Sequence, residues 1–274
     1  MQRLRQGGNC VNIVAFLNHG RQLKSGEWFI DMELCDMTLS TFLYGKVRAH
    51  VFGSVSRRSP FSVLEPSLEK TMKIWDIMRQ VAEGVAYIHS FEFCAQEPPT
   101  SLWLVLFSSS WLMATVLYSK KDSLWKIVGF AAACEAHSQP MHWTNLGNWF
   151  PEALNLPFDV TPKIDIWSMG CILYELTVGS RPFLARSDVY AYCNGHEQIE
   201  IPPEKTFGSV HNKAVTQVIR SMLQPSPISR PTAEAVRDIF RVESGSLIRE
   251  VMESASTPNA PDFTDFISGM TPEA

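Results

Sequence analysis

The sequence lacks the cysteine, histidine and charge patterns of several functional classes. Its six cysteines are scattered and never form a C-x-x-C pair, so neither a zinc site nor a redox pair is indicated. The seven histidines include no H-x-x-x-H pair, so we expect no catalytic metal bound through such a motif. The net charge of −4 gives no sign of a basic surface, and we therefore expect no nucleic acid among the partners.

From the sequence we expect neither a secretory leader nor a clear membrane span. The first ten residues contain no apolar stretch, and scattered single cysteines are typical of a reducing compartment. We therefore expect a cytoplasmic or nuclear protein. The uncharged run 101–118 has the minimum length of a transmembrane helix, but serines interrupt its middle, so membrane insertion is the less favoured interpretation.

Hydrophobic spacing predicts a mainly helical chain with little β-sheet. One amphipathic helix is predicted over residues 68–90, where apolar side chains recur three and four positions apart. Gly84 lies inside it at a cost of about 1 kcal/mol against alanine, so we expect close packing there. The apolar face consists of Ile74, Ile77, Met78, Val81, Val85 and Ile88.

The other predicted elements are shorter. Residues 164–176 are apolar on nearly every side, which indicates a fully buried helix. Aromatic and β-branched residues predict strands over 28–34 and 124–130. Further helices are predicted from residue 38 to 44, around residues 215–223, and after Thr232, which can act as a helix cap.

Three segments in the second half of the chain resemble eukaryotic protein kinases of the serine/threonine type. Residues 164–183, IDIWSMGCILYELTVGSRPF, resemble the central buried helix of that family, D-x-W-S-x-G-x-x-x-x-E-L-x-x-G-x-x-P-F. Pro151-Glu152 stands where the family has Ala-Pro-Glu, and residues 229–232 match its S-R-P-[ST] element. The resemblance implies an α+β, mainly helical fold: a kinase-like large lobe with a remnant of the small-lobe sheet.

The resemblance also implies roles for individual residues. Asp165 would accept hydrogen bonds from the catalytic-loop backbone, and Glu152 and Arg230 would form a buried ion pair. Residues 29–39 resemble the last small-lobe strand and the hinge, so the backbones of Glu33 and Cys35 would face an adenine ring. ATP and Mg²⁺ are the cofactors expected of the family, and a protein substrate or protein partner is its expected ligand.

The same alignment divides the chain into three parts. Residues 1–35 correspond to a remnant of the small lobe and the hinge, and residues 36–242 to the large lobe. Within that lobe, residues 45–66 read as a loop insertion, and residues 94–115 read as an unrelated insertion that replaces the catalytic loop. Residues 243–274 are rich in Ser, Thr, Pro and acids and are predicted to form a mobile tail.

The catalytic residues that the family uses do not appear where the alignment places them. The Gly-rich loop and the strand lysine would lie before residue 1, and no His-Arg-Asp follows His89. Residues 126–131, KIVGFA, align with K-I-x-D-F-G, which puts Gly129 at the position of the metal-binding Asp. Glycine offers no side-chain oxygen to magnesium, so we predict no intact catalytic residue, no metal site and no activity.

Three interpretations remain open at the level of sequence. The chain is a non-catalytic pseudokinase scaffold that binds protein partners, or it belongs to an active kinase whose segment 94–115 comes from a retained intron or a mispredicted exon. The third and less favoured interpretation is a membrane-tethered protein that uses residues 101–118.

Overall fold

The computed structural model describes residues 10–22, 26–45, 67–90, 112–128, 150–155, 158–202 and 209–255. Strand β1, Phe16–Arg21, pairs in antiparallel fashion with β2, Trp28–Met32. The short strand β3, Met37–Thr38, leads directly into helix α1, Leu39–Tyr44. Thr38 caps this helix, since its hydroxyl accepts a hydrogen bond of 2.9 Å from the Thr41 amide.

Helix α2, Leu68–His89, is the long amphipathic helix expected from the sequence. Ser67 caps its first turn by accepting a hydrogen bond of 3.1 Å from the Lys70 amide. The predicted apolar face is confirmed, because all six of its side chains are buried. The expected close packing at Gly84 is also confirmed: a Cβ there would lie 2.7 Å from Ile127 Cδ1 and 3.0 Å from the Asn12 carbonyl oxygen.

A second small sheet follows in the chain. The one-turn helix α3, Leu112–Thr115, precedes strands β4, Val116–Ser119, and β5, Leu124–Ile127. These strands extend β3 into a three-stranded antiparallel sheet of order β3-β4-β5. Ile13 forms a parallel bridge with Ile127, so the segment before β1 lies along the edge of this second sheet.

The last part of the described chain is helical. A 3₁₀ turn, Pro151–Leu154, comes before helix α4, Lys163–Val178, and helix α5, Arg186–Cys193. Helix α6, Ser209–Met222, is followed by a second 3₁₀ turn, Pro227–Ser229, and by helix α7, Ala233–Ala255. Gly179 ends α4 with φ of 85°, a left-handed conformation that favours glycine.

The core is centred on α4, which is buried on all sides as its sequence predicts. Helix α2 packs against α4 and β5 on one side and against α7 on the other, while α6 packs against α4. The rings of Trp75 on α2 and Phe240 on α7 lie 5.2 Å apart at this second contact. The predicted fold class, α+β and mainly helical, is therefore confirmed.

Several boundaries differ from the expected ones. The strand expected over 28–34 ends at Met32, and its partner β1 was not predicted. Helix α7 continues to Ala255 with Leu247 fully buried, so the residues from 243 to 255 are helical rather than part of a tail. The sequence of β1, FLNHGR, lacks the alternation and the β-branched residues typical of a strand. The Ser-rich composition after residue 243 obscured a helix that buries Leu247.

Parts of other expectations fall on residues outside the described ranges: the end of the 124–130 strand, the loop 46–66, the segment 91–111, Gly129 and residues 256–274. Within the ranges that are described, no helix combines the length and the apolar character that crossing a membrane requires.

Candidate functional site

The segment expected to form the hinge connects the two sheets. The Glu33 amide donates to the Ala15 carbonyl at 2.9 Å, and the Glu33 carboxylate accepts from the Ala15 amide at 2.7 Å. Three residues later, the Asp36 amide donates to the Tyr118 carbonyl at 2.8 Å, and the Asp36 carboxylate accepts from the Lys120 amide at 2.7 Å. The segment is therefore held at both of its ends.

A buried lysine adds a third connection to this segment. Lys126 Nζ lies 2.7 Å from Glu33 Oε2 and 2.5 Å from Asp122 Oδ2, and the Ser119 hydroxyl donates to the same Asp122 oxygen at 3.0 Å. Burial alone would lower the pKa of Lys126, but its hydrogen bonds to Asp122 and Glu33 outweigh burial and raise it. The hydrogen bond from Lys126 in turn lowers the pKa of Asp122.

The structure places Glu33 and Cys35 on this connecting segment but gives them different surroundings. The backbone amide and carboxylate of Glu33 are engaged as described above. The backbone of Cys35 forms no hydrogen bond to any residue in the described ranges. Its thiol is half-buried, and burial raises the pKa of that thiol, so the side chain is a poor nucleophile.

Asp165 lies in the first turn of α4 and meets the end of α2. Its Oδ2 atom is 2.9 Å from Nε2 of His89, and both side chains are almost fully buried. The contact with the catalytic-loop backbone that the resemblance implies would fall on residues outside the described ranges. Sequence reasoning did not assign a role to His89. The available sequence signal was the position of His89 in the last turn of the predicted amphipathic helix.

Glu152 and Arg230 are brought together although they lie far apart in the sequence. Arg230 Nη1 is 2.8 Å from Glu152 Oε1, and Nη2 is 3.1 Å from Oε2, which is a bidentate arrangement. The other contacts of the guanidinium are to backbone carbonyls, so each of its five N–H groups has an acceptor. Those carbonyls belong to Gln224, Lys163 and Pro225.

The guanidinium of Arg230 also stacks on the central helix. Its Cζ atom lies 5.0 Å from the ring centroid of Trp167, within the range of a cation–π contact. The Lys163 ammonium, which lies near this cation, donates to the carbonyls of Arg230 and Pro231. Burial lowers the pKa of Lys163, and repulsion by Arg230 adds to the effect. This cluster joins the 3₁₀ turn at residues 151–154, α4 and the start of α7.

Another buried carboxylate, Glu175, was not singled out by sequence reasoning. The Tyr44 hydroxyl at the end of α1 donates to Glu175, and Arg181 Nε lies 3.7 Å from Glu175 Oε1. Burial raises the pKa of Glu175, and hydrogen bonding from Tyr44 and the charge of Arg181 offset only part of that rise. The sequence signals for Glu175 were an acid inside a largely apolar helix and its match to the Glu of the kinase pattern quoted for residues 164–183.

Among the described residues, the carboxylates near the hinge segment do not fit a magnesium–nucleotide complex. Phosphate-bound magnesium needs carboxylate oxygens that are free to coordinate it, whereas Glu33 and Asp122 already bind Lys126. Across the described ranges, no group of three His, Cys, Asp or Glu side chains is arranged to hold a metal ion. Gly129, just beyond the described residue 128, has no side chain that could do so.

Comparisons with known proteins agree with this architecture. Residues 113–239 match the family model of the protein kinase domain, from α3 into α7. The chain is 30% identical over 166 residues to serine/threonine-protein kinase plk-1 of Caenorhabditis elegans, a match that covers 59% of this chain and 22% of that protein. It is 26% identical over 257 residues to serine/threonine-protein kinase PLK4 of Drosophila grimshawi, covering 92% of this chain and 30% of that protein.

A plant protein gives a similar result. The calcium and calcium/calmodulin-dependent serine/threonine-protein kinase of Lotus japonicus is 30% identical over 166 residues, covering 58% of this chain and 29% of that protein. The chain thus spans less than a third of the length of each of these three relatives.

Proposed function

We propose that this chain, whose residues 113–239 match the protein kinase domain, is a non-catalytic member of the eukaryotic serine/threonine protein kinase family that binds protein partners through its large lobe. The observation that carries the proposal is Gly129, which follows β5 at the position where the family has its metal-binding Asp. Phosphoryl transfer depends on positioning and on neutralising charge, and magnesium supplies much of that neutralisation. A glycine there removes a magnesium ligand.

A second sequence observation points the same way. Residues 90–126 contain neither a His-Arg-Asp triplet nor any asparagine, and Asp122 is the sole aspartate among them. Its carboxylate accepts hydrogen bonds from Lys126 and Ser119, so it is engaged in structure rather than available as a catalytic base. Losses of groups that act together are not repaired by one remaining group. ATP and Mg²⁺, the cofactors of the family, are therefore not expected to support catalysis by this chain.

The contacts that support the scaffold are present. The Glu152–Arg230 pair, the His89–Asp165 contact and the buried helix α4 need neither nucleotide nor metal to form. A lobe stabilised in this way can present a surface to a partner without performing chemistry. This retention of scaffold contacts, together with the replaced catalytic residues, favours binding as the function of the chain.

The proposal is tested by incubating the purified chain with radiolabelled ATP, Mg²⁺ or Mn²⁺ and a general protein substrate. We expect no phosphate incorporation above a blank without protein, and no rise in melting temperature on adding Mg-ATP, because a ligand stabilises only a protein that binds it. Asp165→Ala serves as the matched control for a contaminating kinase. Activity that co-elutes with the folded chain and disappears in that variant would overturn the proposal.

An active kinase with an altered catalytic loop is the second candidate. The observation that favours it is an abrupt change in the sequence: residues 91–93 and 116–119 read like kinase sequence, whereas residues 94–115 do not. Sequencing the transcript across residues 85–135 tests it. A message that joins Phe93 directly to His-Arg-Asp codons near Val116 would support this candidate, although Gly129 would still lack the metal ligand.

A further inference from the structure

An open cleft lies on the large lobe away from the hinge. Its volume is about 900 Å³, and it lies between α6 and residues 200–202, which precede that helix. One wall carries Lys213, Gln217, Arg220 and Gln224, which recur at helical spacing. The opposite side of α6 is apolar and buried against α4, so this polar side is the one that faces outward.

This wall carries two positive charges that are accessible to a ligand. Lys213 and Arg220 are both exposed and lie two helical turns apart, or about 10 Å along the axis. Neither forms an ion pair with any residue of the described chain, in contrast to Arg79, Arg230 and Arg241. The one carboxylate that lines the cleft, Glu200, lies on the other wall.

The second wall offers backbone groups as well as an apolar surface. Burial alternates along it as in a strand: Glu200 is exposed, whereas Ile201 is buried. The Tyr174 hydroxyl donates to the Glu200 carbonyl at 3.4 Å, but the amides of Ile199 and Ile201 form no hydrogen bond to a residue that the structure describes. An extended peptide can pair with such groups, as in recognition by strand addition.

We propose that this cleft binds an acidic segment of a partner protein in an extended conformation. Carboxylates two to four positions apart in the segment reach Lys213 and Arg220, since an extended chain advances about 3.3 Å per residue. Apolar side chains between them pack on Ile201 and Pro202. The inference rests on the proposed function, because it names the surface through which a non-catalytic lobe engages its partner.

The test measures the fluorescence anisotropy of a labelled peptide, Gly-Glu-Glu-Ile-Glu-Glu-Gly, titrated with the full chain at low salt. We expect saturable binding that weakens about tenfold or more in the Lys213→Glu/Arg220→Glu variant, because charge reversal replaces attraction by repulsion. The matched control is Lys121→Glu/Arg249→Glu, which makes the same change in net charge at exposed positions outside the cleft. Its affinity should stay within about twofold of the wild type.

Two peptide controls distinguish the charge contacts from the backbone hydrogen bonds. Glutamine in place of every glutamate should abolish binding, and methylation of alternate backbone amides should weaken it if the peptide pairs with residues 199–201. Equal weakening by both double variants, or no saturable binding to the wild type, would overturn the proposed surface. This outcome differs from failure of the proposed function, which would be revealed by phosphate transfer and not by peptide affinity.

Discussion

At the scale of single residues, buried charges connect distant segments of the large lobe. Arg230 is 2% exposed, and its guanidinium is satisfied by Glu152 and three backbone carbonyls. A charge in such a position is tolerated only while its partners remain, because solvation by water is no longer available to it. The pair therefore fixes the position of the 3₁₀ turn relative to Arg230, and loss of either side chain should destabilise the lobe.

Glu152→Ala should destabilise the chain by roughly 3–5 kcal/mol, because it leaves the buried Arg230 without its acid. Urea denaturation followed by tryptophan fluorescence gives the free energy of unfolding. Glu197→Ala is the matched control, since Glu197 is exposed and should change stability by less than about 0.5 kcal/mol. Equal stabilities of the two variants would contradict the structural role of the pair.

Replacing Glu175, in contrast to Glu152, is expected to increase the stability of the chain. Burial raises its pKa above 4.5, so the folded state binds its proton more readily than the unfolded state does. Its contribution to stability therefore falls as the pH rises above 4.5. Glu175→Gln keeps an acceptor for the Tyr44 hydroxyl and removes the titration, so the variant should gain stability relative to the wild type between pH 4.5 and neutrality.

The measurement is the free energy of unfolding of both proteins across that pH range. The curves should diverge as the pH rises, with the glutamine variant above the wild type. A stability difference that is independent of pH would contradict a raised pKa of the Glu175 carboxyl in the folded state.

At the scale of elements, two glycines allow the helices to approach their neighbours. A Cβ at Gly84 on α2 would contact Ile127 and the backbone of Asn12, and a Cβ at Gly170 on α4 would lie 2.8 Å from Leu223 Cδ2. Gly245 on α7 has nothing within 4 Å of the same position. Glycine therefore has a packing role in α2 and α4 but not in α7.

Gly84→Ala should lower the free energy of unfolding by up to about 2 kcal/mol, because overpacking costs roughly 1–3 kcal/mol and better helix propensity returns about 1 kcal/mol. The same substitution at Gly245 should raise stability by about 0.5–1 kcal/mol, since only the propensity term applies. Thermal and urea unfolding of the two variants provide the comparison. A stabilised Gly84→Ala protein would show that Ile127 and Asn12 shift at no cost.

At the scale of the whole molecule, the two sheets differ in how well they are covered. All five residues of β2 are exposed, and Trp28 on it is 75% exposed. A two-stranded hairpin with little buried surface is marginally stable by itself. The three-stranded sheet, in contrast, places Val116, Trp125 and Ile127 in the core.

Hydrogen exchange should therefore be faster in β1 and β2 than in α2 and α4, because local opening is easier where few apolar contacts must break. Exchange measured by mass spectrometry on peptides covering residues 16–32 and 74–88 tests this. We expect complete exchange of the first peptide while the second remains protected. Comparable protection of the two peptides would contradict the marginal stability expected of the exposed hairpin.

The sequence alone determined the main helices and the family resemblance. Helices α2 and α4 follow from local spacing of apolar residues and from a dense motif, and both depend on neighbours within a few turns. The tertiary structure decided which distant side chains meet. His89 and Asp165 are 76 positions apart, Lys126 and Glu33 are 93 apart, and Tyr44 and Glu175 are 131 apart. Periodicity carries no information on such contacts, since they depend on how whole elements pack.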